Sequence, residues 1–380
     1  MTGTQNTAPQ VVISGTGLWT PENKVTNEEL VVALNAYADR YNTDHQEQIQ
    51  AGELEPLPFS DADFIEKASG IKSRYVVVKD GILDIDRMRP NIPERADDEL
   101  SVQAEMAVKA AKAALAAANK DSKDIDAVVV SCAYTQRSYP AIAIEVQDAL
   151  GIEGFGFDML VACSAATFAL HRAYEMVAAK TAKAVLVINP ELTSPQVNYT
   201  DRDSHFIFGD VATATVVESA DTCTSEHSYD VLGIKAQTVY SSNIRSNMGY
   251  TSRVSDVDPF GPDKLFHQNG RKVFKEVCPM AIEHLSNHVD STGLELPQVK
   301  RWWLHQANIN MNQLIARKLI GHDPGGEDAP IVLDEYANTA SAGSVIAFHL
   351  HQEDLQTGDV GVICSFGAGY SIGSLVVRKR

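Results

Sequence analysis

Four short segments hold the groups that could do chemistry. Cys163 closes the run Asp158-Met-Leu-Val-Ala-Cys and opens Cys-Ser-Ala-Ala-Thr, so an apolar strand-like stretch leads into a cysteine followed by very small residues. A cysteine at a helix N-terminus faces unpaired N–H groups and the positive end of the macrodipole. Both favour the thiolate, which is the nucleophilic form. Alone, the same cysteine also reads as a buried apolar residue. His305, in Leu304-His-Gln-Ala-Asn308, stands where a strand carrying Trp302 and Trp303 stops. It either points into a cleft or serves as a structural histidine. Asn338, in Ala337-Asn-Thr-Ala-Ser-Ala-Gly-Ser344, offers an amide donor or is merely an N-cap. Gly367, Ala368 and Gly369 form either a tight loop with exposed backbone N–H groups or an ordinary hairpin turn.

The elements that must position these groups follow from periodicity. Apolar runs at 11–14, 126–131 and 184–189 read as strands, and 211–218 alternates like an antiparallel one. The alanine-rich stretch 100–119 and the stretch 162–180 read as helices. From residue 231 the order recurs: strand 231–238, helix 273–289, strand 299–305, helix 338–351, then strands 360–366 and 374–379. Alternating strands and helices define an α/β class. No literal repeat is visible, yet two similar βα halves emerge, 1–220 and 221–380. Cys163 and Asn338 then occupy matching positions, each before a helix of small residues, with the two helix N-termini meeting near the molecular centre. Two polar segments break the pattern, 35–60 and 79–97. Each is a solvated surface excursion or a cap over a substrate entrance.

Composition narrows the function. The 380 residues carry 50 acidic against 32 basic side chains, a net charge of −18, which argues against a nucleic-acid partner. No apolar run approaches the roughly 18 residues a membrane helix needs, and the first residues lack the pattern of a secretory signal. Five widely spaced cysteines with no CxxC pair make a disulfide scaffold or zinc ribbon a poor reading. A soluble, reduced, cytoplasmic globular protein without a metal or other cofactor is the expectation. His284 and His288 are four apart with Glu283 adjacent, but no further ligand motif supports zinc. Gly15-Thr-Gly17 lacks the third small residue of a dinucleotide fingerprint, since position 20 is threonine. Cys364 lies three residues before Gly367 and reads as core, because one residue of shift on a strand reverses the facing.

Taken together, the order Cys163, His305, Asn338 with these flanks resembles the 3-oxoacyl-ACP synthase III family of the thiolase fold. Further segments carry the resemblance: Ser14-Gly-Thr-Gly17, Ser69-Gly-Ile-Lys-Ser-Arg74, Phe208-Gly-Asp210 and Phe366-Gly-Ala-Gly369. It spans about nine-tenths of the chain and leaves out the two polar insertions, which make this chain longer than the typical member and similar to a longer subgroup associated with medium-chain acyl-CoA primers. The resemblance implies a layered α-β-α-β-α arrangement. It implies that Cys163 takes an acyl group from an acyl-CoA and that malonyl-ACP then supplies a decarboxylated carbon nucleophile. His305 and Asn338 would hold the malonyl thioester oxygen, and the backbone N–H groups of Cys163 and of Ala368 or Gly369 the acyl-cysteine oxygen. It also implies a homodimer. The alternatives are head-to-head acyl condensation, acyl transfer to a small molecule, or a non-enzymatic binder of CoA or carrier.

The chain departs from the family pattern in places. Ala368 stands where glycine is usual, so a positive φ there would be costly. Phe64 replaces a tryptophan that stacks on the CoA adenine, Ala68 a basic residue, and Asn310 a basic carrier-docking residue. Arg202 matches the second adenine contact, and Tyr139 falls in the segment that bounds the primer pocket. Arg271, Lys272 and Lys275 are the expected docking patch for an acidic carrier, or else a plain solvated helix face.

Overall fold

The computed structural model describes residues 10–380. Its first half runs β1 (Val11–Trp19), β2 (Asn23–Thr26), α1 (Asn27–Asp44), α2 (Gln46–Gln50), α3 (Ala62–Ser69), β3 (Ser73–Val76), α4 (Val102–Ala118), β4 (Ala127–Cys132), α5 (Ile142–Leu150), β5 (Phe155–Leu160), α6 (Ala165–Ala178), β6 (Ala184–Glu191) and β7 (Val211–Ser219). The second runs β8 (Tyr229–Ser241), β9 (Ile244–Arg245), β10 (His267–Gln268), α7 (Gly270–Ser291), β11 (Val299–Leu304), α8 (Ile309–Ile320), α9 (Leu333–Tyr336), α10 (Ala342–Leu350), β12 (Val360–Gly367) and β13 (Gly369–Lys379).

Strand order makes the internal symmetry explicit. The large sheet reads β11-β12-β13-β8-β1-β7-β6-β4-β5. Outward from its middle, β1-β7-β6-β4 mirrors β8-β13-β12-β11, with the same antiparallel, antiparallel, parallel sequence of pairings. The first half adds β5 as an outer edge. Only Val12 with Asp230 and Ile13 with Tyr229 join β1 to β8, so the two half-sheets meet at a narrow seam. Helices α6 and α10 pack between the half-sheets and share one buried cluster with strands of both. A second cluster sets α4 and α5 on the outer face of the first half-sheet. A third sets α7 and α8 on the outer face of the second. This is the expected α-β-α-β-α layering. Helices cover both faces of β4 and β6, which explains why those strands are continuous apolar runs rather than alternating ones.

A smaller layer sits over the ends of α6 and α10. The β2–β3 hairpin, α1 and α3 pack a fourth cluster against Phe206, Phe208 and Leu333. The fully buried Arg74 ties it down, donating to the carbonyls of Val25 and Phe206 and to Oδ1 of Asn27. The two insertions belong to this layer. The first supplies the C-terminal part of α1, then α2 and a return strand of loop. Asn35 and Asn42, two helical turns apart on α1, each clamp that return. Asn35 exchanges hydrogen bonds of 2.8 and 3.0 Å with the backbone of Ser60, and Asn42 does the same with Leu57. Arg40 then reaches the second insertion, pairing with Asp86 and the Ile85 carbonyl.

Candidate active site

The chain leaves β5, passes Val161 and enters a 3-10 turn, Ala162–Ser164, before α6 begins. Cys163 therefore sits at the helix N-terminus, as its small followers imply. Ala162 has φ +44°, which costs a residue with a Cβ about 1–2 kcal/mol. The sulfur-bearing residue is 9% exposed and lines a cavity of about 480 Å³. Burial pushes the Cys163 thiol up to about 12, and the Glu191 carboxylate adds to the rise; the backbone N–H groups of Ala368 and Cys163 pull the other way. The expectation of a resting thiolate is therefore corrected. Two N–H dipoles do not offset removal from water and a nearby carboxylate, so the free enzyme holds a thiol.

His305, Asn338 and Gly367 line the same cavity as Cys163. His305 follows the last residue of β11 and is 2% exposed, with its ring edge-on to Phe366. Burial lowers it to about 4, so the imidazole is neutral. Its Nδ1 has no hydrogen-bond partner among the described residues, which separates it from a satisfied structural histidine. The neighbour Gln306 is fully engaged, accepting from Val332 and Leu333 and donating to Leu304 and Pro330, and it fixes the chain at this point.

Asn338 lies in the turn before α10 and is not its N-cap, a place held by Ser341. Its backbone bridges Phe208, with Asn338 N–H donating to Ile207 and Gly209 N–H donating back. The side-chain Oδ1 accepts from Ala340 N–H at 2.9 Å. With the oxygen so occupied, the amide NH₂ is the group left to serve the cavity. Ala337 and Ala340 flank it at φ +57° and +47°. Strained residues thus stand beside both Cys163 and Asn338, a common mark of pre-organised sites.

The glycine loop is the β12–β13 turn. The Cys163 thiol receives the Ala368 N–H beside its own. Ala368 carries no positive φ; that conformation falls on Gly369 at φ +136°. The anticipated cost of alanine is therefore absent.

The remaining predicted residues divide. Phe64 lines the cavity, and Arg202 stacks on its ring at 3.7 Å, held by an Nε–H bond of 2.8 Å to the Phe59 carbonyl. The guanidinium occupies the face of Phe64, leaving no gap for a third ring between them. Arg271 lines the cavity mouth, and Lys272 and Lys275 are exposed beside it on the first turns of α7. Tyr139 is 76% exposed and does not line the cavity of the single chain, contrary to expectation; it precedes α5, outside the layer that encloses the sulfur. The first insertion supplies no cavity-lining residue, nor does the second. Both are mostly exposed, as surface excursions are, and the first braces the wall from behind through Asn35 and Asn42. Glu191, at the end of β6, was not singled out from the sequence. Its signal was there: one acidic residue closing an otherwise apolar strand. The aromatic wall of Phe206, Phe266 and Phe274 was likewise invisible before folding.

A buried cysteine, a neutral imidazole, an amide donor and a backbone donor pair around one largely apolar cavity define a covalent acyl-transfer site. Family models for 3-oxoacyl-[acyl-carrier-protein] synthase III and for its C-terminal part match residues 157–238 and 289–379. The β-ketodecanoyl-[acyl-carrier-protein] synthase of Pseudomonas aeruginosa is 53% identical over 348 residues, 92% of this chain and 99% of that one. The crystal structure of 3-oxoacyl-[acyl-carrier-protein] synthase III from Aquifex aeolicus matches with a TM-score of 0.73 at 24% identity, covering 97% of this chain and 99% of that one. The priming β-ketosynthase of the R1128 polyketide pathway matches with a TM-score of 0.77 at 21% identity, over 99% and 98%. Both structures share the thiolase-like fold. The chain belongs to the 3-oxoacyl-ACP synthase III family, acyltransferases that act as condensing enzymes of fatty acid synthesis. No helix among the described residues is long and apolar enough to cross a membrane.

Proposed function

We propose that this enzyme transfers a medium-chain acyl group, such as octanoyl, from acyl-CoA to Cys163 and condenses it with malonyl-ACP. The products are 3-oxoacyl-ACP, CoA and CO₂. The observation that carries this reading is the meeting of Cys163, His305, Asn338 and Gly367 on one cavity. In the first half-reaction Sγ attacks the thioester carbonyl, and the C–S bond to CoA breaks. The thiol proton leaves with the CoA sulfur, because a His305 lowered to about 4 is too weak a base to keep it. The N–H groups of Cys163 and Ala368 hold the developing oxyanion.

In the second half-reaction the malonyl C–C bond breaks and CO₂ departs. The electron pair becomes an enolate whose oxygen accepts from neutral His305 and the Asn338 amide. The enolate carbon then attacks the acyl-cysteine carbonyl, and the released sulfur takes a proton from solvent. An apolar wall favours loss of CO₂, since a carboxylate out of water is destabilised relative to its neutral product.

The basic first turns of α7 at the cavity mouth suit an acidic carrier protein. Reversing the charge of Arg271, Lys272 and Lys275 should raise KM for malonyl-ACP and leave acylation by acyl-CoA unchanged. The open edge of β5, with Phe155 and Leu160 exposed, suits pairing with a second copy. Tyr139 precedes α5, whose first N–H groups are held by Asp158 of β5, so it would be covered in such a homodimer. Light scattering on the purified protein decides the oligomeric state.

Intact-mass spectrometry after mixing with acyl-CoA thioesters of two to twelve carbons tests the central reading and sets the primer length. The expected result is one adduct that disappears in Cys163→Ala. No adduct at any length, or one that persists in that variant, overturns it. Product formed from acyl-CoA alone would instead select head-to-head condensation.

A further inference from the structure

Glu191 is a fully buried carboxylate outside the cavity lining that the two half-reactions do not use. It closes β6, and its two oxygens point to different parts of the fold. Oε2 accepts from Ala133 N–H at 3.0 Å, just beyond β4. Oε1 accepts from Ser341 N–H at 3.1 Å and from the Ser341 hydroxyl. Ser341 ends the strained turn Ala337–Ala340 that carries Asn338, so the carboxylate spans from the half bearing the nucleophile to the half bearing the amide. Nothing else on the first half-sheet reaches this turn through a charged side chain among the described hydrogen bonds. The titratable groups that feel the Glu191 charge are Cys163, Cys132 and Tyr134, all of them raised in part by it.

We propose that Glu191 is a positioning residue of the second half-reaction: its carboxylate joins the end of β6 and the stretch after β4 to the turn before α10, and so holds the turn that presents the Asn338 amide. This rests on the two-step reaction above and adds to it a residue that touches neither substrate. Burial also lifts the carboxyl itself to about 7, against the pull of Ser341 and Ala133.

Two substitutions test this link. Glu191→Gln removes the charge and turns an NH₂ toward one of the backbone donors. Glu191→Asp keeps the charge and withdraws it by one methylene. The readouts are the rate of Cys163 acylation by acyl-CoA and the rate of malonyl-ACP decarboxylation by pre-formed acyl-enzyme. In both variants acylation should stay within a few-fold of wild type while decarboxylation falls about tenfold or more. Undiminished decarboxylation, or equal slowing of both half-reactions, overturns the proposal. Should the Gln variant fail to fold, the Asp variant decides by the same two readouts. Formation of the wild-type acyl-enzyme is measured in the same experiment, so failure of the underlying reading shows separately.

Discussion

Gly367 lies against Cys163 so closely that a Cβ at residue 367 would sit 2.5 Å from the Cys163 Cβ and 3.1 Å from its sulfur. The absence of a side chain there is what lets the β12–β13 turn bring its N–H groups to the nucleophile. Gly367→Ala should leave the fold largely intact but push the sulfur off its donors. Acyl-enzyme formation should fall by about 10²-fold, the scale of a misplacement near 1 Å. Stopped-flow mixing with acyl-CoA, quenched and read by mass, checks it.

His305 and Asn338 serve the second half-reaction in this reading, so their removal should split the two steps. His305→Ala and Asn338→Ala should each retain acylation within a few-fold and lose malonyl decarboxylation by about 10²–10³. Equal loss of both steps would refute the assignment of roles.

The neutral His305 makes a prediction about pH. Its folded value is lowered to about 4, so the ring stays neutral throughout pH 5.5–8 and protonates only as pH falls toward 4. Decarboxylation by acyl-enzyme should show no His305-dependent acid limb near 6.5, the ordinary histidine value. A limb at 6.5 that vanishes in His305→Gln would contradict the burial argument.

The brace of Asn35 and Asn42 should matter to stability and to the Arg202–Phe64 stack. Each amide makes two bonds to backbone, and at about 0.5–1.5 kcal/mol per bond each alanine substitution should cost about 1–3 kcal/mol. Urea denaturation measures this. The double variant should also release the Phe59 carbonyl from Arg202. That change should alter KM for acyl-CoA and spare a truncated pantetheine thioester.

Acid should weaken the fold. His284 and His288 meet at the Ser374 hydroxyl and are lowered by burial to about 4 and about 3; His205 and His305 are lowered to about 4. The unfolded chain binds these protons near pH 6.5, so the stability is whole above that value and is lost as pH falls toward 4. Glu191, raised to about 7, opposes this in part below pH 7, as do the raised Asp158 and Asp210. The four histidines outweigh these three carboxyls, so Tm should drop by about 3 °C or more between pH 7 and pH 5. The slope should flatten in His284→Gln/His288→Gln.

Much of this protein was legible before folding. The buried strands β4 and β6 and the helices α4 and α6 announce themselves through apolar runs and alanine-rich periodicity, because local pattern and final burial agree there. Cys163, His305, Asn338 and the Gly367–Gly369 turn stand out for the same reason: each sits where an element starts or stops, a place that residue type marks.

What the sequence alone could not supply were quantities that depend on distance through space. Whether Cys163 rests as thiol or thiolate is set by the depth of the cavity and the approach of Glu191, 28 positions away along the chain. The role of the first insertion depends on Asn35 and Asn42 meeting a backbone that returns 25 and 15 residues later. Desolvation and charge act between neighbours in space, and two halves related by an internal symmetry make neighbours of residues far apart in sequence. Residue order therefore determined the fold class and the reacting groups, and tertiary packing decided their charge, their strain and what holds them.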